Sequence, residues 1–207
     1  LTPLAHTLLD GLVGRGEGDL VAEFADRLPF WAISRKLGLP EGHEDRQRSW
    51  AHALLALPTD PDGAHAAAVE LTAVVGPVID ARRRDPGDDV ISQLVTGEVH
   101  GVRLTDEEVL SHVRLLFAVG ATTTSDALSS LLWVLLHRPD LLDRVRGDPA
   151  TRPAMVRELL RWEPPVPLLP RMAAHGGTVG GVELEPGALV LGGIAAANRF
   201  LEGSPDP

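Results

Sequence analysis

Apolar residues along the chain recur three and four positions apart, in runs cut by prolines and glycines, and that spacing predicts one helix after another. Leu4, Leu8, Leu9 and Leu12 share a face of a short helix over residues 4–13, ended by Gly14. Asp19 caps a second, whose inward face is Leu20, Val21, Phe24, Ala25 and Leu28, with Pro29 breaking it. Phe30, Trp31, Ile33 and Leu37 form a third, stopped by Gly38 and Pro40. Residues 44–57 make a fourth, closed by Pro58. Asp60, Pro61, Asp62 and Gly63 predict a turn, and residues 64–84 a long helix kinked at Pro77. Val90, Ile91, Leu94 and Val95 carry a short helix, and residues 98–104 a hairpin around His100-Gly101.

The longest pattern runs from Thr105 to the proline at 139. Thr105 and Glu108 form a capping box, and Asp106, Glu107 and Glu108 put negative charge on the first turn, where the helix dipole favours it. His137 and Arg138 bring positive charge to the last turn, and Pro139 cannot continue the ladder. One helix over residues 106–137 would span about 48 Å. Its middle is apolar on almost every side, as in a helix enclosed by other elements. Thr122, Thr123, Thr124, Ser125, Asp126, Ser129 and Ser130 interrupt that run, short of the roughly 20 uniformly apolar residues a bilayer demands. Gly120 followed by three threonines weakens the helix at its centre, since glycine costs about 1 kcal/mol and threonine crowds the turn or bonds carbonyls itself. Two explanations stay open: a local widening that admits a small molecule, or a small-residue notch where another helix packs closely.

Beyond it, residues 141–146 and 152–162 are helical, and Pro164-Pro165 ends the second of these. The texture then changes to short β-rich pieces at residues 178–179, 182–184 and 188–191, separated by Gly-Gly and Pro-Gly turns. The layout is mainly α, with a small sheet between Arg171 and Leu191.

Composition narrows the function. A length of 207 residues at 44% hydrophobic content suits one globular domain or two small ones. A formal charge of −10, with no basic run longer than Arg82-Arg83-Arg84, excludes the usual electrostatic footprint for nucleic acid or anionic lipid. No targeting signal is indicated, so a cytoplasmic location without a membrane partner is expected, and the leucine at position 1 hints at a piece of a longer chain. There is no cysteine, hence no disulfide, thiol catalysis or thiolate ligand. The eight histidines show no metal-ligand spacing, so no metal site is expected from them. Gly14, Gly16 and Gly18 follow no strand and predict a flexible turn rather than a nucleotide site.

The residues that carry a resemblance stand in order: Val119-Gly120-Ala121-Thr122-Thr123-Thr124 in the long helix, then Glu158-Leu159-Leu160-Arg161, Pro164-Pro165-Val166, Arg171, Ala196-Ala197-Asn198-Arg199 and Pro205-Asp206-Pro207. This set resembles the cytochrome P-450 family of haem-thiolate monooxygenases, of the soluble bacterial kind. The resemblance implies a cytochrome P-450-like helical fold, of which these residues are the central and C-terminal part of one domain. The N-terminal helices and the cysteine-bearing haem loop lie outside it. It implies haem as cofactor, a hydrophobic small molecule as substrate for hydroxylation or epoxidation, and a ferredoxin-type redox partner. Thr123 matches the threonine that relays protons during dioxygen splitting, and Thr122 stands where the family has an acidic residue. Gly120 and Ala121 match positions beside the cofactor, and Arg171 an arginine that binds a haem propionate. Glu158 and Arg161 match a structural pair completed by an arginine beyond Pro207. Ala118 and Val119, with Val166, Pro167, Leu168 and Leu169, match the substrate pocket. After Ala-Asn-Arg, Phe200 replaces the family's aspartate. Two further readings remain: a haem-free relative that activates a partner such as a glycosyltransferase, and an unrelated helical interaction module.

Overall fold

A computed structural model describes residues 1–200, with the backbone alone considered at Glu44, Asp45 and Val99. The Pro205-Asp206-Pro207 motif lies outside the described residues. The chain forms two compact units, Leu1–Ser129 and Ser130–Pro207.

The first unit holds α1 (Thr2–Val13), α2 (Arg27–Leu37), α3 (Glu44–Leu55), α4 (Pro61–Arg84), α5 (Val90–Thr96) and most of α6 (Asp106–His137), with a hairpin of β1 (Glu98–Val99) and β2 (Val102–Arg103) ahead of α6. The hairpin turns at His100-Gly101 as expected, both residues adopting the positive φ that a tight two-residue turn requires. The capping box is formed: Glu108 Oε2 accepts from the Thr105 amide and hydroxyl, each at 2.8 Å, and the Thr105 hydroxyl accepts from the Glu108 amide. Arg83 of α4 donates to Asp106 and to the Leu104 carbonyl, so the start of α6 is tied to the end of α4.

The prolines behave differently from the simplest expectation. Asp60 is the N-cap of α4, accepting from the Gly63 amide, so the expected turn at 60–63 is the helix's first turn with Pro61 at its start. Pro29 does not break a helix either. It lies in the first turn of α2, and a π-turn over Val21–Ala25 precedes it, closed by the Asp26 amide on the Val21 carbonyl. In a continuous α-helix the Pro29 ring would press on the Ala25 carbonyl, and the extra residue just upstream relieves that clash.

The core of the first unit joins Phe30 and Leu37 of α2, Trp50 and Ala51 of α3, Leu71, Val75 and Ile79 of α4, Ile91 and Val95 of α5, and Val109, Val113 and Phe117 of α6. Phe30 meets Phe117 edge-on at 6.0 Å. Burying a side chain of that size contributes about 2–3 kcal/mol. α6 is continuous, as predicted, but it is not enclosed: its buried residues run along one stripe from Val109 to Ser125, while Leu115 (60% exposed), Trp133 (58%) and Leu136 (60%) stay open. By length and composition both α4 and α6 could cross a membrane, for α6 in spite of the polar run from Thr122 to Ser130 that argued against it. Each instead contributes a buried stripe to this core.

The second unit holds the end of α6, α7 (Pro139–Gly147), α8 (Arg152–Trp162), β3 (Leu168–Met172), β4 (Gly177–Val179), β5 (Val182–Leu184), β6 (Leu189–Gly193) and α9 (Ile194–Phe200). In place of one small sheet there are two separate antiparallel pairs, β4 with β5 nested between β3 and β6. Among its described residues only Leu159 is less than a tenth exposed.

A polar node fastens the first unit. Asp89 caps α5 by accepting from the Ser92 amide at 2.7 Å and takes Arg82 Nε of α4 at 2.6 Å. Gly38, left-handed at the end of α2, packs so closely that a Cβ there would sit 2.3 Å from Asp89 Oδ2. Burial alone would raise the Asp89 carboxyl, but the Ser92 amide and the Arg82 guanidinium outweigh it and hold it below the ordinary aspartate range. That depressed value means its stabilisation is present above the unfolded aspartate value and lost as pH falls through the folded one. Asp89→Ala should lower unfolding free energy by about 2–3 kcal/mol, through the lost cap and an unpaired Arg82. Urea midpoints read as a function of pH should converge for wild type and variant at strongly acidic pH and diverge above it.

Candidate functional site

The expected site residues divide between the units, and each set has its own geometry. On α6, Thr122, Thr123 and Thr124 each donate a hydroxyl hydrogen bond to the carbonyl four residues back, at 3.0, 2.9 and 3.0 Å. These bonds leave the helix intact, and no widening occurs at Gly120. A Cβ on Gly120 would come 3.2 Å from Ile33 Cδ1, so the glycine is the notch against which α2 packs. Of the two explanations for the weak centre, close helix packing is the one realised.

Burial sorts the other α6 candidates. Ala118 and Ala121 belong to the hydrophobic core of the first unit, and Thr122 is 6% exposed with its hydroxyl committed to Ala118. Their expected roles as pocket lining, cofactor neighbour and relay group meet a physical obstacle, because their side chains are already surrounded. Val119 and Thr123 differ: Val119 is exposed along with Leu115 and Leu116, and Thr123, one turn further on the same side, is half-buried. Thr123 spends its proton on Val119, yet its oxygen keeps lone pairs for a donor.

In the second unit Val166 and Pro167 lead into β3, and Leu168 and Leu169 begin it. Successive strand residues face opposite ways, so Leu168 and Leu169 cannot line one wall together; Leu169 shares its face with Arg171. Arg171 is exposed and donates to the Pro170 carbonyl.

Glu158 and Arg161 form a two-pronged ion pair on α8, at 2.9 and 2.6 Å. It is lopsided: the Arg161 side chain is 17% exposed and Glu158 51%. The hydrogen bond from Arg161 holds the Glu158 carboxyl below the ordinary glutamate range, and the same bond raises Arg161. Arg161 also donates to the Asn198 carbonyl at 3.0 Å, while Arg199 reaches back to the Trp162 carbonyl at 2.6 Å. The Ala-Asn-Arg segment thus straps α9 to the end of α8. The motif alone does not reveal that job, although Arg199, a long donor close behind the small residues 195–197, was a signal for it.

A cleft of about 560 Å³ within the second unit also went unread. Trp133, Leu141, Met155, Leu159 and Trp162 line it, Glu158 stands at its edge, and Trp133 stacks on His137 with centroids 4.4 Å apart. Among the described residues no group of histidines and carboxylates could hold a metal ion.

No family model matches the chain. It is 34% identical to cytochrome P450 monooxygenase PikC of Streptomyces venezuelae, over 100% of this chain and 51% of the relative. It is likewise 34% identical to mycinamicin IV hydroxylase/epoxidase of Micromonospora griseorubida, over 98% of this chain and 52% of the relative. Among solved structures it is similar to the Bacillus subtilis 168 bacillaene polyketide synthase cytochrome P450 PksS, with a TM-score of 0.86 at 30% identity, covering 98% of this chain and 53% of that one. Sequence and fold together make the chain a member of the cytochrome P-450 family. It spans about half the length of the curated relatives it matches.

The Gly120 notch yields a direct test. Gly120→Val should overpack α2 and cost about 1–3 kcal/mol in thermal or urea unfolding. Ile33→Ala made in the same chain should recover much of that loss, a coupling that a double-mutant cycle reads out.

Proposed function

We propose that the chain is the central part of one haem-dependent monooxygenase domain that hydroxylates or epoxidises a hydrophobic small molecule in the cytoplasm. The observation that carries this reading is the α6 stripe of exposed Leu115 and Val119 with half-buried Thr123 beside them: apolar side chains with one hydroxyl among them, in a chain whose relatives are named hydroxylases and epoxidases. Haem, when bound, supplies the activation of dioxygen. Residues within each unit, taken separately, have the chemistry such a group would use. Val119 offers an apolar surface, Thr123 a hydroxyl, Leu169 a wall for substrate and Arg171 a cation for a propionate. Pro167 and Val166 extend the wall. The 207 residues contain no cysteine, so the thiolate ligand has to come from outside them. Electrons would come from a ferredoxin-type carrier. The acidic balance of the chain argues against nucleic acid as a partner.

The names of the relatives, among them a vitamin D(3) 25-hydroxylase of Pseudonocardia autotrophica at 32% identity, favour an enzyme over a haem-free helper of a glycosyltransferase. The reduced carbon monoxide difference spectrum is the test. The 207-residue chain mixed with haemin should give no thiolate-type band and oxidise nothing. Residues 1–207 grafted between the flanking segments of the Streptomyces venezuelae relative should give that band. A thiolate-type band from the chain alone, or none from a graft that circular dichroism shows to be folded, would overturn the reading.

A further inference from the structure

Two polar residues of the first unit stand at core-facing positions without a partner. Ser34 shares its face of α2 with Phe30, one turn before it, and Leu37, one turn after, and both of those belong to the hydrophobic core. Gln47 shares its face of α3 with the core residues Trp50 and Ala51. Ser34 is 7% exposed and Gln47 2%. Burying a polar group without a hydrogen bond costs free energy, and native folds keep few such groups. Yet among the described residues neither Ser34 Oγ nor Gln47 Oε1 has a hydrogen-bond partner. The threonines of α6 show the easy local remedy, each hydroxyl donating to a carbonyl one turn back, and Ser34 leaves that remedy unused.

The two groups line one cavity of about 170 Å³, which lies wholly within the first unit. The chain builds it by reversing at the end of α2. Gly38 is left-handed, with φ 87°, and the amides of Gly38 and Leu39 both donate to the Ser34 carbonyl, at 3.0 and 2.9 Å. That reversal brings Leu39 and Pro40 back beside Ser34, and α3 follows with Gln47 near its start. Trp31 of α2 and Leu4 of α1 complete an apolar wall. Arg35 and Glu41, both well exposed, line the same cavity and pair at 3.6 Å, so its mouth carries one charge of each sign.

Each of these features selects a ligand. An apolar cavity of about 150 Å³ is large enough to take benzene, so this one admits a single ring with a substituent. Gln47 Oε1 only accepts, which requires a donor on the ligand, whereas the Ser34 hydroxyl can donate as well as accept. A ligand hydroxyl answers both: its proton goes to Gln47 and its oxygen receives the proton of Ser34. The indole of Trp31 suits a flat ring. The balanced charges at the mouth favour a neutral molecule over an ion. We propose that this cavity is a binding site for a small neutral aromatic alcohol of the phenol class, held by its hydroxyl between Ser34 and Gln47. The proposal does not depend on the monooxygenase reading. Ile33, next to Ser34, packs against Gly120, so an occupied site braces the end of α2 that touches α6.

Phenol itself is the probe, added to the 207-residue chain and followed by NMR at the Trp31 indole N–H and the Gln47 side-chain amide. Both signals should shift saturably with one dissociation constant, and phenol should raise the urea midpoint, as a ligand of the native state does. Benzene fills the same space without a hydroxyl and should bind about tenfold more weakly, because it leaves both buried polar groups unpaired. Ser34→Ala should weaken phenol binding by about three- to tenfold while leaving the urea midpoint of the free chain unchanged or higher, since it removes an unpaired buried hydroxyl. A serine with a merely structural role would lower that midpoint instead. Gln47→Met keeps the length of the side chain without its acceptor and should bring phenol and benzene to equal affinity. Three results in the unsubstituted chain each overturn the inference, whatever the variants do: no shift at Trp31 and Gln47, the cavity holding water only; shifts confined to Trp133 and Trp162; or benzene binding as tightly as phenol.

Discussion

The first unit is organised by the need to bury one stripe of α6. Val109, Val113, Phe117 and Ala121 recur at helical spacing and lie fully buried, and the other helices supply what covers them. Phe30 of α2 meets Phe117, and Ile33, one turn further on, fills the space Gly120 leaves. From α4, Thr72 accepts from Arg114. Because the buried stripe is held by its neighbours, the rest of α6 has its direction fixed as well, and Val119 and Thr123 inherit their orientation from it. A substitution in the buried stripe therefore acts on the open one through the helix axis.

Much of this was legible in the sequence where a local signal settled the matter. The Thr105–Glu108 box, the glycine at the end of α2 and the His100-Gly101 turn each involve residues close in the chain whose chemistry allows one good solution. The readings at Pro29 and Pro61 failed because proline sits in the first turn of a helix as readily as it ends one, and at Pro61 it is Asp60, placed to cap, that decides. α9 escaped notice because seven residues are too few for a periodic pattern. The enclosed middle of α6 was over-read for a different reason: apolar residues on all sides state what a helix could bury, and the neighbours decide what it does bury. At the site, Ala118 and Thr123 look equally good in sequence, and their separation into core and open face depends on where α2 lies.

The threonine run shows how one residue type serves two ends. A hydroxyl bonded to a carbonyl one turn back costs the helix little and hides a polar group. In Thr122 that is the whole story, for its surroundings are closed. In Thr123 the same bond leaves an acceptor facing outward. At position 122 a charged side chain would sit in a buried place, where it would be expensive, and Asp126 carries the one charge of this stretch where water can reach it.

The scarcity of buried side chains in the second unit bears on how the molecule breathes. Fixing each residue's backbone costs roughly 1–2 kcal/mol of conformational entropy, and a region in which Leu159 alone among the described residues is buried has little apolar burial to set against it. Its order rests on strand pairs, the Arg161 and Arg199 straps and continuity with α6. Amide hydrogens there should exchange through local opening at lower free energy than those beneath Phe117. Proteases and chaperones would therefore meet this chain first between residues 130 and 200, while the first unit is still folded.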